Sequence, residues 1–325
     1  MSSQPAIDRF LNDHASGAYF ARLVNHPTPH PLRKTPELVY HARLHPVEPQ
    51  FTVVTPTFNA ASMIAAYLDA TARAASLPFD WILVDDGSDD ATSEQAAAIF
   101  QSMPLPLVAR ATIIRNPVPV FETACDNIGF SLAETAVIVE VQSDIQIREE
   151  AFDALVLRLL ATTPSPAAIS GRCGHSFFGL RGRLVRALFG GRGSECIGLC
   201  GGLIDTPDVV APLKGHVYRC ETVPRGPWVV LKSDLERLGY LDERFFFQGN
   251  DDHDYHRRLF DADGRRPVYV PMSLYAPLRL GATRQRRSGV NHEVFETLRA
   301  EKRGSPAFRR FLAVQKHPVF PERLC

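Results

Sequence analysis

The chain has 325 residues, long enough to bury one large α/β core with additions. Its 36 Lys+Arg and 36 Asp+Glu cancel to a formal charge of zero, so there is no overall field to draw in nucleic acid or an acidic membrane. No apolar run nears the roughly 20 residues of a membrane span, Asp8 and Arg9 interrupt where a signal peptide would be apolar, and six Cys then suggest reduced thiols and a cytoplasmic site.

Residues 6 to 24 carry Ile7, Phe10, Leu11, Phe20, Leu23 and Val24 at partly helical spacing, which predicts a short helix. Six prolines between 27 and 49 predict an extended arm without regular structure, so residues 1–50 form an N-terminal helix and arm.

From Phe51 the chain reads FTVVTPTFN, a helical stretch, then WILVDDGSDD, which is a β-α-β unit with polar groups at both strand exits. In an open, mostly parallel sheet, ligands bind outside the carboxyl ends of the strands, so Thr55, Thr57, Asn59, Asp85 and Asp86 should line one crevice. Asn59 is the expected N-cap of a helix reaching about Ser76, with Pro78 as the stop, and Thr92 with Gln95 reads as a capping box. Residues 107 to 115 read as a third strand ending at Arg115-Asn116, and residues 120 to 133 as its helix. Ala136 to Val141 is a fourth strand, apolar throughout except Glu140, with Gln142-Ser143-Asp144 at its exit. Phe152, Leu155, Val156, Leu159 and Leu160 then lie on one helix face. Four strands alternating with helices predict a doubly wound sheet.

Beyond Pro166 the periods fade until a compact segment from Gly226 to Pro271. Ser233 with Glu236 reads as a second capping box, its helix ends at Gly239, and an aromatic run leads to Asp251-Asp252-His253-Asp254. Val268 to Val270 is a last short strand, and after Arg284, Arg286 and Arg287 a helix is expected from Asn291 to Lys302.

Taken together, TPTFN at 55–59, VDDGSDD at 84–90, RN at 115–116, DNIG at 126–129, QSD at 142–144 and LDERFFFQGNDDHDYHRRL at 241–259 resemble glycosyltransferase family 2. The pieces appear in that family's order over about 220 residues. The resemblance implies the α/β GT-A fold, a doubly wound, mostly parallel sheet with helices on both faces, here with an N-terminal arm and a C-terminal helical tail. It divides the chain into a nucleotide-sugar half at 51–165, an acceptor and catalytic half at 166–275, and a basic segment with a helix at 276–325.

The resemblance further implies that Thr55, Pro56, Thr57, Asn59, Asp85, Asp86, Arg115, Asn127, Gln142 and Ser143 surround the nucleotide, and that Asp144 holds Mn2+ or Mg2+ against the donor diphosphate. It places the acceptor's general base at Asp252 first and Asp251 second, with Asp254 and Arg258 beside the acceptor and Trp228 able to stack on a sugar. Two positions depart from the family pattern. Gln142 replaces the first carboxylate of the Asp-x-Asp motif, and Asp126 stands where a basic residue is usual.

Each feature also has a structural reading. Asp251 to Asp254 suits a helix N-terminus, with Asp254 paired to Arg258 at i, i+4. VDDGSDD is a turn with a cap, Asp144 a strand-end cap, and Trp228 core packing. His253 and His256 read as solvent-facing, and Arg284 to Arg287 as an exposed tail or as a lid over the diphosphate. Cys173, Cys196, Cys200 and Cys220 with His175 lack the tight spacing of a zinc site and read as buried thiols.

The expectation is an inverting, metal-dependent, non-processive glycosyltransferase that moves one sugar from a nucleotide sugar, a UDP-sugar first, to a hydroxyl of a glycan or glycolipid. It has no nucleic-acid partner and no transmembrane segment, with peripheral membrane contact left open. The alternatives are a catalytically degenerate nucleotide-sugar binder of the same fold, and a sugar nucleotidyltransferase. The latter would need a Gly-rich, Lys-containing loop after the first strand, which TPTFNAAS lacks.

Overall fold

The computed structural model describes residues 4–24, 26, 34–162, 165–172, 217–219, 222–243, 251–275 and 322–324. The expected helix at Asn291 to Lys302, the Arg284 to Arg287 group, and Cys173, His175, Cys196, Cys200 and Cys220 lie outside these residues.

After α1 (Gln4–Ser16), a short 3-10 turn and β1 (Glu37–Arg43), the chain builds β2 (Phe51–Thr57), α2 (Ile64–Ala74), β3 (Phe79–Asp85), α3 (Thr92–Ser102), β4 (Val108–Arg115), α4 (Phe121–Leu132) and β5 (Val137–Glu140). The second half adds β6 (Gln146–Ile147), α5 (Phe152–Leu160), β7 (Ile169–Ser170), β8 (Val217–Arg219) and β9 (Trp228–Leu231). It continues with α6 (Lys232–Leu238), α7 (Asp251–Asp263), β10 (Val268–Tyr269), β11 (Leu274–Tyr275) and β12 (Glu322–Leu324).

A ten-stranded sheet runs β1-β4-β3-β2-β5-β9-β7-β10-β8-β12, and β6 pairs β11 apart from it. Strands β4, β3, β2 and β5 are mutually parallel, the doubly wound core that the sequence predicts. Strand β9 joins β5 antiparallel, so one sheet continues from the 51–165 segment into the 166–275 segment.

Strand alternation sorts the apolar residues onto two faces. Val54, Ile82, Val84, Ile114, Ile138 and Val230 pack with α1, α4, α6 and α7. Val53, Trp81, Leu83, Ile113 and Val139 face the opposite way and pack with α2, α3 and α5. Helix α4 is buried nearly all round, because α1 covers it from outside while β2 and β3 lie beneath it. Gly129 permits that approach: a Cβ there would sit 2.3 Å from Val54 Cγ1.

Several local expectations are corrected. The Pro-rich arm contains β1, which pairs antiparallel with β4 between Pro36 and Pro46. No proline falls within Glu37–Arg43, so every amide there remains able to donate. Asn59 does not cap α2, which starts at Ile64; it adopts a left-handed φ of 49° and its Oδ1 accepts from Asp89 N at 2.9 Å. Neither capping box forms. Thr92 Oγ1 instead accepts from Ala60 N at 2.8 Å while Asp90 accepts from Thr92 N at 3.0 Å, and Ser233 lies inside α6. The stop at Gly239 holds: its φ is 79°, the left-handed conformation glycine adopts at helix ends.

Candidate active site

The parallel strands end on one line. Thr57 is in register with Asp85, and Asp85 with Arg115. Asp85 accepts from Ser88 N at 2.9 Å, Ser88 Oγ at 2.5 Å and Ser93 Oγ, so its carboxylate shapes the DGS turn. Arg115 Nη2 donates to Ser88 O at 2.5 Å and its Nε lies 3.9 Å from Asp85. Asn59 N donates to Ser88 Oγ at 2.9 Å, which ties the exit of β2 to that of β3.

Asp86 points to the start of α4, where its carboxylate accepts from Val120 N at 2.6 Å, Phe121 N at 2.8 Å and Asn116 Nδ2 at 3.2 Å. Helix N-termini present such unpaired donors. Burial pushes the Asp86 carboxyl up to about 7, only partly offset by these hydrogen bonds and by Cys125.

The second centre lies where α4, β5 and α7 meet. Arg225, 5% exposed, pairs with Asp126 of α4, with Asp251 of α7 at 3.0 Å and with Glu122 at 3.4 Å. Thr123 Oγ1 donates to Asp251 at 2.7 Å. Burial alone would lower the Arg225 pKa, but Asp251, Glu122 and Asp252 outweigh it and raise it. Glu140 of β5 is fully buried and accepts from Gly226 N at 3.0 Å. Gly226 has φ 74°, the left-handed conformation that favours glycine, and a Cβ on it would have to displace the Gln142 amide, 2.2 Å away. Burial, and then Glu122, push the Glu140 carboxyl well above the usual range. Gln142 donates to Glu122 and accepts from Arg172 Nη1 at 3.3 Å, and Arg172 also reaches Arg225 O at 2.8 Å.

Residues 52–179 match glycosyl transferase family 2. No curated protein matches the chain by sequence. Among solved structures, the mannosyltransferase PcManGT from Pyrobaculum calidifontis, in complex with GDP-Man and Mn2+, is similar at TM-score 0.50 and 17% identity over 96% of this chain and 85% of that one. GalNAc-T7 with UDP, GalNAc and Mn2+ is similar at TM-score 0.51 and 12% identity over 82% of this chain and 56% of that one. S. aureus TarS 1-349 in complex with UDP scores 0.48 at 14% identity over 82% and 75%. The fold is that of GT-A glycosyltransferases.

Set beside the family 2 motifs, the expected site residues divide into three groups. Thr57, Asn59, Asp85, Asp86 and Arg115 gather at the strand exits, while Asp251 and the buried Asp252 gather at Arg225 with Gln142 alongside. Ser143 and Asp144 follow Gln142 in a turn closed by Ile145 N donating to Gln142 O at 3.0 Å. Pro56 lies inside β2. Other members serve the scaffold. The Thr55 hydroxyl is enclosed by Tyr67 Oη at 2.6 Å and Trp81 Nε1 at 3.0 Å. Asn127 clamps α4 to Leu241 and Glu243 through bonds of 2.9 to 3.1 Å.

Three placements differ from expectation, those of Trp228 and Arg258 on the acceptor side and that of His256. Trp228 is 0% exposed, edge-on to Tyr255, with Nε1 donating to His256 Nε2 at 3.1 Å, so its indole has no face left for a sugar. His256 is 1% exposed and bonded also to Thr222, where a solvent-facing residue was expected; the apolar face of α7 carries it inward. Arg258 takes Asp254 at 2.8 Å, Leu238 O at 2.6 Å and Tyr240 O at 2.7 Å, which docks α7 on the end of α6.

Reading by motif missed Glu122, Arg172 and Arg225, and passed over Glu140. Glu140 did carry a signal, as the lone charge in a strand buried on both faces. For Arg225 there was none, since its partners come from elements distant in the chain.

Proposed function

We propose that this chain is an inverting glycosyltransferase that moves one sugar from a nucleotide sugar, a UDP-sugar first, to a hydroxyl of a glycan or glycolipid acceptor. The observation that carries the reading is the convergence of family 2 motifs on one edge of the sheet. Thr57, Asp85 and Arg115 lie side by side there, and the α7 carboxylates come to α4 through Arg225.

The nucleotide would lie over the exits of β2 and β3, with Asp86 and Arg115 beside it. Asp252 is the general base, with Asp251 as the second choice: it takes the acceptor hydroxyl's proton as that oxygen attacks the anomeric carbon from the side opposite the leaving diphosphate. Arg225 holds Asp251 at 3.0 Å and keeps the start of α7 against α4, which fixes where that base stands. A divalent cation, when bound, would neutralise charge on the departing nucleoside diphosphate. Two alternative places offer it oxygen ligands: Asp144 after β5, or the Glu122, Asp126 and Glu140 group, whose buried oxygens include ones unpaired among the described residues.

A degenerate binder of the same fold is supported by one observation: the carboxylates of Asp126 and Asp251 are already engaged by Arg225. Incubating the protein with a panel of nucleotide sugars plus Mn2+ or Mg2+, and following nucleoside diphosphate release with and without glycan acceptors, separates the two. Release by the wild type, reduced at least about a hundredfold in Asp252→Asn, is expected. Donor binding without release by any preparation would favour the binder.

A further inference from the structure

The α4 and β5 carboxylates carry an electrostatic imbalance that the described residues do not resolve. Glu122, Asp126 and Asp251 pair with Arg225, Glu140 stands beside Glu122 and Asp126, and Arg172 acts on Glu140. Burial favours the neutral form of Glu140, which leaves three carboxylates paired with the one Arg225 guanidinium, and buried charge of one sign is costly without a counter-charge.

One ligand oxygen from each of Glu122, Asp126 and Glu140 falls within 4.8 Å of the others. Oxygens around a single hard cation, at radii of about 2.1 to 2.6 Å, lie no more than about 4 to 5 Å apart. The spacing therefore fits one shared ion with a small inward shift.

A second observation concerns the individual oxygens. Gly226 N holds Glu140 Oε2 at 3.0 Å and so fixes the carboxylate, yet Glu140 Oε1 is buried with no hydrogen-bond partner among the described residues. Asp126 Oδ1 is buried and likewise unpaired among those residues, while Oδ2 faces Arg225. An orphaned carboxylate oxygen inside a protein is a defect unless something binds it. Arg225 then acts as an orienting partner, in the way that neighbours of metal ligands hold them in place. Glu122, a third exposed, gives the ion a way in from solvent.

We propose that Glu122, Asp126 and Glu140 together hold a divalent cation, Mn2+ or Mg2+, and that this chain carries its metal there and not on Asp144. The inference builds on the glycosyltransferase reading but concerns the metal alone. Gln142 brings no charge to the loop after β5, and its amide instead donates to Glu122, one of the three ligands. Asp144 joins no group of three metal-ligating side chains among the described residues.

The test uses the full chain, stripped with EDTA and titrated with Mn2+ in the absence of any nucleotide sugar, with free Mn2+ followed by its paramagnetic resonance signal. The wild type is expected to bind one ion per chain. Glu140→Gln and Glu122→Gln should each weaken binding at least about tenfold, while Asp144→Asn should stay within about twofold of the wild type. Circular dichroism of each variant shows whether it is folded. If Glu140→Gln is not, Glu122→Gln decides, because that side chain is partly exposed and outside the core. Absence of binding by the wild type overturns the proposal, and so does loss with Asp144→Asn while Glu122→Gln still binds. Mn2+ binding through the three carboxylates without turnover of any donor would sink the transferase reading and leave this one standing. Turnover with a metal that depends on Asp144 would do the reverse.

Discussion

Asp126 and Arg225 form an ion pair that is shut off from water, at 0% and 5% side-chain exposure. Arg225, in the segment before β9, supplies the positive charge that faces Asp126. The guanidinium also serves Asp251 and Glu122, so the two partners are unequal. Removing Arg225 takes the counter-charge from three carboxylates, whereas removing Asp126 relieves an excess of negative charge. Arg225→Gln should therefore cost about 3 to 5 kcal/mol, and Asp126→Asn clearly less, when unfolding is followed in urea. Equal costs would show that the pair acts alone and the wider cluster contributes nothing.

Much of this arrangement was readable in the sequence, and the rest was not, for physical reasons. The strands β2 to β5 announce themselves because each is a short apolar run, and the Asp85-Asp86 turn because its residues suit no regular element. Residue contacts between distant segments have no such local signature. Arg225 looks like one more arginine before a proline-flanked strand, and only the pairing of β9 with β5 carries it to Asp126. Caps were misread for a related reason: Thr92 and Asn59 have the right chemistry for a helix start, but tertiary partners, Ala60 and Asp89, claimed their side chains first. Trp228 shows that residue type and motif proximity do not decide exposure.

The Asp86 carboxyl makes folding pH-dependent in a direction opposite to that of a surface carboxylate. Its value rises from 3.8 to about 7 in the folded state, chiefly through burial. The folded protein then holds this proton more tightly than the unfolded chain, so stability is full below pH 4 and is lost as pH rises through 7. At about 1.4 kcal/mol per unit the loss has an upper bound of roughly 4 kcal/mol. Urea unfolding at pH 5 and pH 8 should show the wild type weaker at pH 8, with the difference reduced in Asp86→Asn. An unchanged difference in the variant would assign the slope to other groups, Glu140 first.

Gly129 permits the close approach of α4 to β2. A methyl added there meets Val54 Cγ1 at 2.3 Å, and Val54 is itself locked in the sheet core between β3 and β5. Gly129→Ala gains some helix propensity but must shift the helix or the strand, with a net cost of about 1 to 3 kcal/mol. Because Asp86, Asp126 and Asn127 all depend on where α4 lies, nucleotide-sugar binding should weaken with it. Adding Val54→Ala opens the space and should restore part of the stability. If the single variant is as stable as the wild type, α4 has room to slide that the packing does not show.

Arg258 tests whether the acidic motif of α7 also serves the scaffold. Its guanidinium joins Asp254 within the helix to Leu238 O and Tyr240 O at the end of α6, so one side chain donates to three acceptors. Arg258→Lys keeps the charge but has no planar fork to span them, and Arg258→Ala removes this donor from all three. The expected losses are about 1 kcal/mol for lysine and about 2 to 3 kcal/mol for alanine, measured by urea unfolding. The acceptor KM of the lysine variant should move less than its stability does, since Asp251 at the start of α7 is held by Thr123 and Arg225. A large KM change with unaltered stability would instead put Arg258 in contact with the acceptor.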